Sequence, residues 1–237
     1  MTPDKLQRGF FITGTDTGVG KTLVAVGLTH ALVARGIRTA VMKPVAAGGI
    51  RTPTGLFNDD ALELSAASNV KAPYADVNPW RLSTPASPHL AALADGVAIG
   101  HERIAAAFDR LAAASDLVIV EGAGGWYAPI SATETMADVA GKLALPVVLV
   151  VGIRLGCLNH ALLTREALRA RGMIFAGWVA NKLATEMPLA DANIDTLSSR
   201  FGAAPLAVVP ADAVKSGSGQ SALPGWANEV AERLLSP

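Results

Sequence analysis

"GTDTGVGKT", residues 14 to 22, follows the apolar run "FFIT" and precedes a segment rich in alanine and leucine. This order predicts a strand, a glycine-rich turn and a helix, so that backbone N–H groups and the positive end of the helix face an anion. In nucleotide-binding loops of this type the lysine contacts the outer phosphates and the threonine hydroxyl binds Mg²⁺. We therefore expect Gly20, Lys21 and Thr22 to bind a nucleotide and its metal ion, with Thr22 as the first helical residue.

The first half of this loop departs from the common pattern. The pattern G-x-x-x-x-G-K-[ST] requires a glycine where Thr15 stands, and Gly14 comes one residue too early. An ordinary glycine-rich turn between a strand and a helix is the alternative interpretation. Because Gly-Lys-Thr comes directly after an apolar strand and opens a helix, the sequence favours a phosphate-binding loop.

Apolar runs alternate with segments of helical length along the chain. This alternation predicts an α/β fold, a parallel sheet with helices on both faces, as in P-loop NTPases. The chain has 237 residues, of which 51% are hydrophobic, enough for one large core, so we expect residues 1–237 to form a single domain. Gly36 should end the first helix, and residues 71–89, with four prolines, should form a surface connection. The predicted strands are "FFIT", "TAVMKPV", "LVIVEG", "PVVLVVG", "FAGWVAN" and "LAVVP".

Polar residues follow several of these strands, at the edge where parallel sheets bind ligands. Glu121 follows "LVIV", where an unpaired carboxylate is costly, so either a metal ion or a basic side chain should pair with it. Mg²⁺ takes only one or two protein carboxylates, and Asp60 is the other candidate, although it could equally be a residue that favours a helix start. Lys43, Asn181 and Pro210 also end predicted strands, and the alternative for Lys43 is a solvated surface lysine.

A second ligand site is predicted in "GCLNHALLT", residues 156 to 164. A glycine and small polar residues open a helix there, just after a buried strand. The free N–H groups and the helix dipole would suit a carboxylate, and Asn159 could cap the turn or donate to the ligand. A plain capped helix is the alternative that these residues leave open.

Composition excludes several classes of partner. Twenty basic and twenty acidic residues give a formal net charge of zero, so we expect no nucleic acid and no membrane partner, but a small molecule. The longest apolar run, residues 143–153, is far shorter than the ~20 residues of a membrane span and contains a proline. The first residues lack the features of a secretory signal, and the single Cys157 cannot form an internal disulfide. We therefore expect a cytoplasmic protein.

Taken together, "GTDTGVGKT", "MKPVAAG", "NDDALEL", "VEGAGGWYAPI", "VVGIRLGCLNHALLT" and "GWVAN" resemble dethiobiotin synthetase, the ATP-dependent carboxylase and cyclase of biotin synthesis. The resemblance runs in order over nearly the whole chain, and the early glycine of the loop is the form that this family uses. The family belongs to the broad P-loop group of partitioning ATPases and nitrogenase iron protein, and its members are usually homodimers.

The resemblance implies a ligase that uses ATP and Mg²⁺. CO₂ adds to an amine of 7,8-diaminononanoate to give a carbamate, which ATP phosphorylates. The second amine then attacks the carbamic-phosphoric anhydride and closes the ureido ring of dethiobiotin, releasing ADP and phosphate. Because a carbamate anion must meet an anionic γ-phosphate, this chemistry needs clustered positive charge, which Lys21, Lys43 and Mg²⁺ supply.

The resemblance also assigns roles to residues. It implies that Lys43 contacts the carbamate and the γ-phosphate, that Thr17 helps to bind the reacting groups, and that Asn181 hydrogen-bonds adenine, the alternative being a strand-end turn residue. Residues 156–159 would hold the substrate carboxylate in the partner's site of a homodimer with shared active sites. The expected residues are, for catalysis, Lys43, Lys21 and Thr17; for the nucleotide, Gly18, Val19, Gly20, Lys21, Thr22, Asn181 and Pro210; for the metal, Thr22, Asp60 and Glu121; and for the substrate, Thr17, Lys43, Ala47, Gly156, Cys157, Leu158 and Asn159.

Some positions depart from the family pattern. Ala47 stands where members often carry serine, and Gly18 stands where a glutamate can occur, but neither change removes a charge that the mechanism needs. Asn181 is followed by "KLA", so the guanine-reading pattern N-K-x-D is broken at its aspartate. The sequence therefore favours ATP over GTP.

Two other classes share the loop. Partitioning ATPases carry a lysine five residues before the loop lysine, where this chain has Asp16, and their membrane-binding members end in a basic amphipathic helix. Here the C-terminal stretch "GWANEVAERLLSP" carries Glu229 and Glu232 against Arg233, so we expect it to pack on its own domain. A small-molecule kinase would share the loop and Mg²⁺ but would leave a stable phosphorylated product, whereas ring closure consumes CO₂.

Overall fold

The computed structural model describes residues 8–213 and 224–236. The described strands are β1 (Gly9–Gly14), β2 (Thr39–Met42), β3 (Val45–Ala46), β4 (Ile50–Thr52), β5 (Gly55–Phe57), β6 (Trp80–Arg81), β7 (Leu117–Glu121), β8 (Val147–Ile153), β9 (Phe175–Lys182) and β10 (Ala207–Val209). The described helices are α1 (Lys21–Ala34), α2 (Asp59–Ala67), α3 (Tyr74–Val77), α4 (Pro88–Ala94), α5 (His101–Ala113), α6 (Met136–Leu143), α7 (Cys157–Ala170), α8 (Ala190–Phe201) and α9 (Gly225–Leu235).

Six strands form one parallel sheet in the order β10-β9-β8-β1-β7-β2. Each of the six apolar runs in the sequence supplies one of them, which confirms the predicted α/β fold. Every residue of β1, β7 and β8 is buried, as expected for strands covered on both faces. Because all six strands run the same way, their carboxyl ends meet at one edge.

The core lies on both faces of this sheet. Side chains alternate between the faces along a strand, and β1 shows the alternation directly: Phe10 packs with Val24 and Leu28 of α1, whereas Phe11 packs with Phe108 of α5. Both phenylalanines are almost fully buried. The prediction of helices on both faces is therefore confirmed.

The first helix begins at Lys21 and not at Thr22, one residue earlier than expected. It ends as predicted, because Gly36 has a φ of 78° and donates its N–H to the carbonyl of Val33 at 2.9 Å. The C-terminal α9 packs on α1: a Cβ on Gly27 would lie 2.3 Å from the ring of Trp226. The predicted packing of the C-terminal stretch on its own domain is thus confirmed.

The proline-rich segment 71–89 is more than a surface connection, which corrects the prediction. As expected, it contains neither a long helix nor a strand of the central sheet; α3 is short and β6 pairs only with β3. However, Val77, Asn78 and Leu82 are buried, because the segment folds back against the end of β2. This segment binds both backbone groups of Lys43. The Lys43 carbonyl accepts from the side-chain amide of Asn78 at 2.6 Å, and the Lys43 N–H donates to the Val77 carbonyl at 2.7 Å.

Along the two described ranges, no helix is both long and apolar enough to cross a membrane.

Candidate active site

The loop between β1 and α1 has the backbone of a phosphate-binding turn. Gly18 and Gly20 have φ values of 73° and 93°, in the left-handed region that favours glycine. At Gly20 a Cβ would also lie 2.2 Å from the amide nitrogen of Asn181, whereas at Gly18 a Cβ would have no atom of the described residues within 4 Å. Gly20 is therefore required by close packing as well as by conformation, while a side chain at Gly18 would be opposed by conformation alone.

Lys21 is held inside this loop. Its ammonium donates to the carbonyl of Asp16 at 2.8 Å, and the side chain is buried. Burial, together with the positive charge of Lys43, lowers the pKa of Lys21 to about 8, although Glu121, Asp60 and Asp16 act in the opposite direction. The loop thus holds a cation that forms no ion pair with a carboxylate of the described residues and is suited to bind an anion.

Lys43 is the centre of an ionic cluster at the same edge. It follows β2, and Glu121 ends the neighbouring β7, so the pairing of these two strands brings them together. The Lys43 ammonium donates to Glu121 Oε1 at 2.5 Å and to Asp60 Oδ2 at 2.7 Å. Lys43 is only 4% exposed and Glu121 1%, which excludes the surface-lysine alternative.

The charges in this cluster stabilise each other. Burial opposes the charge on Lys43, but the attraction of Glu121 and Asp60 outweighs it and raises the pKa of the ammonium. For Asp60, burial is likewise outweighed by Lys43, and the pKa of the carboxyl is lowered. Both groups are therefore ionised at neutral pH. Asp60 also lies in the first turn of α2, so the helix-start interpretation and the site interpretation are compatible.

The three predicted metal ligands come together around this cluster. Thr22 donates its hydroxyl to Glu121 Oε1 at 2.9 Å, and Lys43 links Glu121 to Asp60. The second oxygen of Glu121 is buried, and no residue of the described ranges hydrogen-bonds it. An unpaired carboxylate oxygen beside a hydroxyl and a second carboxylate fits a hard cation such as Mg²⁺. Among the described residues no group of three or more His, Cys, Asp or Glu side chains could hold a metal ion, so phosphate and water oxygens would have to complete the coordination.

A cavity of about 730 Å³ opens onto this cluster. Nine residues predicted from the sequence line it: Thr17, Gly18, Gly20, Lys21, Thr22, Lys43, Ala47, Asp60 and Glu121. The rest of the lining consists of residues not predicted from the sequence, namely Val45, Ala46, Asn58, residues 85–88, Ala123, Gly124, Gly125, Ala128 and Pro129. The glycines of "GAGG" and the prolines of segment 71–89 were the signals available for this part of the lining, but neither shows which way the chain turns.

Three of the predicted nucleotide-binding residues do not line the cavity, namely Val19, Asn181 and Pro210. Asn181, at the end of β9, is buried and donates its amide N–H to the carbonyl of Val19 at 2.8 Å. Val19 itself packs into the core. Pro210 is exposed and follows Val209, which is paired with Asn181 in the sheet. The Asn181 side chain therefore holds the phosphate loop in place through its hydrogen bond to the Val19 carbonyl.

Residues 156–159 lie outside the cavity. Gly156 is the N-cap residue of α7, with a φ of 91°, and among the described residues no side chain caps this helix start, so Asn159 does not have the capping role that was one of the two expected for it. Cys157 is buried, and its N–H donates to the carbonyl of Arg154 at 3.0 Å. Gly156 and Asn159 are exposed and Leu158 is half-buried. One chain alone does not bring these residues to Lys43.

The fold and the sequence agree with known proteins. The AAA domain family matches residues 8–216. Among solved structures, the cell division ATPase MinD of Pyrococcus furiosus superposes with a TM-score of 0.55 at 18% identity, over 96% of this chain and 98% of that chain. A ParA family ATPase of Chlorobium tepidum gives a TM-score of 0.54 at 14% identity, over 97% of both chains. At these identities the two structures support the fold alone.

Curated sequences are much closer. The chain is 49% identical to the ATP-dependent dethiobiotin synthetase BioD of Cellvibrio japonicus, over 91% of this chain and 95% of that protein. It is 51% identical to the protein of the same name from Xanthomonas oryzae pv. oryzae, over 81% and 86%. With Aromatoleum aromaticum the identity is 48%, over 86% and 90%. Identity at this level over nearly the full length of these relatives means that the chain belongs to the ATP-dependent dethiobiotin synthetase family.

Proposed function

We propose that this protein is a ligase that converts 7,8-diaminononanoate and CO₂ into dethiobiotin, with ATP and Mg²⁺ and with release of ADP and phosphate. The observation that carries this function is that Lys21, Lys43, Asp60 and Glu121 line one cavity, with Lys43 paired to both carboxylates. Family membership supplies the substrate, and this cluster supplies the charges that the substrate requires. Residues 1–237 form a single domain in this proposal, and the protein acts in the cytoplasm.

The reaction has three steps. An amine nitrogen of the substrate forms a C–N bond to CO₂ and loses a proton, which gives a carbamate. A carbamate oxygen attacks the γ-phosphorus, and the bond to ADP breaks. The second amine attacks the carbonyl carbon and loses a proton, phosphate leaves with the C–O electron pair, and the ureido ring closes.

The two lysines make the second step possible. Two anions meet in this step, and positive groups that are already in place stabilise the charge on the transferring phosphoryl group without reorganising. Lys21, at the start of α1, binds the outer phosphates, and Lys43, which follows β2 and lines the same cavity, contacts both the carbamate and the γ-phosphate. Thr17, at the tip of the loop, helps to hold the reacting groups, and Ala47 adds an apolar contact to the substrate.

Thr22, Asp60 and Glu121 would hold Mg²⁺. The ion would neutralise charge between the β- and γ-phosphates when bound. Its ligands include both carboxylates that Lys43 contacts, so the lysine and the metal share the negative charge of the same pair of side chains. Two carboxylates opposite two lysines and a divalent ion leave a net positive site for the phosphates.

The adenosine part would extend from the loop towards the ends of β9 and β10. Gly18, Val19 and Gly20 offer backbone N–H groups to the phosphates, and Asn181 and Pro210 lie at the strand ends next to them. The Asn181 amide carries a second N–H and a carbonyl, which would contact the adenine edge. The absence of an aspartate after Asn181 in the pattern N-K-x-D supports ATP as the nucleotide.

The substrate carboxylate would bind to residues 156–159 of a second subunit. In their own chain these residues lie outside the cavity, with Gly156 and Asn159 exposed. Since Cys157 already donates its N–H to Arg154, the N–H groups of Leu158 and Asn159 are the donors that this helix start offers to a carboxylate. Leu155, next to the site, is 98% exposed and Leu163 is 58% exposed, which supports a homodimer with this face buried.

Hybrid dimers test the shared site. One protein carries Lys21→Met, the other Asn159→Glu, and the two inactive proteins are mixed until subunits exchange. By two-fold symmetry about half of the dimers become hybrids with one intact and one doubly altered site, so activity recovers to about a quarter of wild type. Differential tags measure the hybrid fraction. Hybrids that form but show only the activity of the separate variants would rule out the shared site.

Glu121→Gln is expected to raise the Mg²⁺ concentration required for half-maximal activity by about tenfold or more, because one of two charged metal ligands is lost. The measurement is a Mg²⁺ titration of turnover at saturating ATP. Glu63→Gln, on the neighbouring α2, removes the same charge from an exposed position and should leave the titration unchanged. An identical titration for Glu121→Gln and wild type would mean that Glu121 serves only as the partner of Lys43.

ATP affinity is expected to fall as pH rises above about 8, because Lys21 of the unliganded protein loses its proton there. Phosphate binds the ammonium and not the neutral amine, so ATP binding takes up a proton in this range. Calorimetry between pH 7 and 9.5 measures the change, and Lys21→Met should remove it. A wild-type affinity that stays constant over this range would contradict the assignment of Lys21 to the phosphates.

Phosphate release tests the proposed reaction against a kinase. Release of inorganic phosphate from ATP should require both bicarbonate and diaminononanoate, and ADP and phosphate should appear in equal amounts. A kinase would form ADP while the phosphate stayed on the substrate. ADP formation without free phosphate would therefore replace the proposed ligase by a kinase.

A further inference from the structure

Asp16 connects several parts of the phosphate loop. Its carbonyl accepts from the Lys21 ammonium at 2.8 Å, and its Oδ1 accepts from the N–H of Thr17 at 2.7 Å. Its Oδ2 forms an ion pair with Arg154 at 2.6 Å. The proposed mechanism gives no role to Asp16 or Arg154.

A carboxylate is unfavourable in a loop that binds a polyanion, because like charges repel at close range. The Arg154 guanidinium offsets this repulsion, since it neutralises the Asp16 side chain from the side of β8. The same strand also holds the loop through a hydrogen bond of 3.0 Å from the N–H of Thr15 to the carbonyl of Val150. The loop is therefore attached to the end of β8 at two points.

Arg154 in turn belongs to the turn that starts α7. It follows Ile153, the last residue of β8, and its carbonyl accepts from the N–H of Cys157. A continuous series of contacts thus runs from Lys21 through Asp16 and Arg154 to Cys157. One end of this series binds phosphate, and the other end is the helix start to which the proposed function assigns the substrate carboxylate of the partner's site.

We propose that Asp16 and Arg154 are positioning residues whose ion pair couples nucleotide binding at the phosphate loop to substrate binding at residues 156–159. This inference rests on the proposed function. When the phosphates replace the Asp16 carbonyl as the partner of Lys21, the loop becomes ordered around the nucleotide. The turn at Arg154 becomes ordered with it through the ion pair to Asp16. A second ligand then binds to an already ordered unit, which gives positive coupling. In a homodimer with shared sites, the coupling would run from one active site to the other.

Calorimetry provides the test. The Kd of diaminononanoate is measured with and without saturating Mg²⁺ and a non-hydrolysable ATP analogue. For the wild type we expect the analogue to tighten diaminononanoate binding by at least about fivefold. Arg154→Gln should bring this ratio close to one, and so should Asp16→Asn, which keeps an oxygen for the Thr17 N–H. The double variant should lose no more than either single variant, because both act through one pair.

If the ion pair had only a structural role, the variants would lose stability, and the ratio of the two Kd values would stay as in wild type. Both side chains of the pair are 47% exposed, and half-exposed ion pairs add little stability, so the variants should fold normally and bind diaminononanoate alone as wild type does. Arg154→Gln leaves the Asp16 charge uncompensated and should weaken binding of the analogue, so the ratio is measured at saturating analogue for each variant. Arg8→Gln breaks the remote ion pair with Asp109, also solvent-exposed, and should leave the ratio unchanged. A ratio of one in wild type, or an unchanged ratio in Arg154→Gln, would overturn the inference alone. Failure of wild type to bind diaminononanoate under either condition would overturn the proposed function and the inference together.

Discussion

Lys43→Met is expected to lower kcat by about 100-fold or more, because it removes a charge aimed at the transferring phosphoryl group. Methionine keeps the length and apolar stem of the side chain, so the cavity wall is preserved. ATP affinity should change little, since the nucleotide phosphates are held mainly by the loop and Lys21. The measurement is steady-state turnover together with ATP binding by calorimetry.

The fold of this variant needs its own control. Without Lys43, the buried Glu121 carboxylate loses its ammonium partner, and breaking a buried ion pair costs about 3–5 kcal/mol of stability. Lys43→Met combined with Glu121→Gln removes both charges and should recover part of the thermal stability without recovering activity. A folded Lys43→Met variant with kcat within a few-fold of wild type would remove Lys43 from the catalytic machinery.

Lys21→Met is expected to lower kcat/KM for ATP by about 100-fold or more, because both the ground-state and the transition-state contacts to the outer phosphates are lost. Unlike Lys43, Lys21 should affect ATP binding directly. Calorimetric titration with ATP and initial-rate kinetics separate the two contributions. Wild-type affinity together with wild-type kcat would leave the loop lysine without its assigned role.

The two lysines should also differ in their effect on stability. Burial lowers the pKa of Lys21 to about 8, below its unfolded value of about 10.5, so the charged form at pH 7 costs folding free energy. This cost disappears as pH rises from 8 to 10.5, because the unfolded state binds more protons there. Lys21→Met should therefore raise the melting temperature at pH 7, whereas Lys43→Met should lower it.

The central sheet and the phosphate loop could be predicted from the sequence, because both depend on local patterns. Strands buried on both faces read as continuous apolar runs, and Gly-Lys-Thr after the first of them identifies the phosphate loop. Lys43 and Glu121 were also predictable as strand-end residues. A basic partner for Glu121 was one of the two expectations, but that it would be Lys43 was not predictable, because this requires β2 to lie beside β7, and nothing in the sequence between them specifies that order.

The parts that could not be predicted depend on long-range packing. Asn181 fixes the loop through a hydrogen bond to Val19, a contact between residues 162 positions apart. The prolines of segment 71–89 indicated irregular structure but not that it would anchor Lys43. At the start of α7, composition suggested that Asn159 could cap the helix, whereas Gly156 caps it through its backbone conformation alone.

The most direct test of the ligase assignment follows the carbon of CO₂. The purified protein is incubated with ATP, Mg²⁺, ¹³C-labelled bicarbonate and 7,8-diaminononanoate, and the products are identified by mass spectrometry. We predict dethiobiotin with one ¹³C in the ureido carbonyl, absent when ATP is omitted or when Lys43→Met replaces wild type. A stable phosphorylated diamine, or ATP turnover without any labelled dethiobiotin, would contradict the assignment.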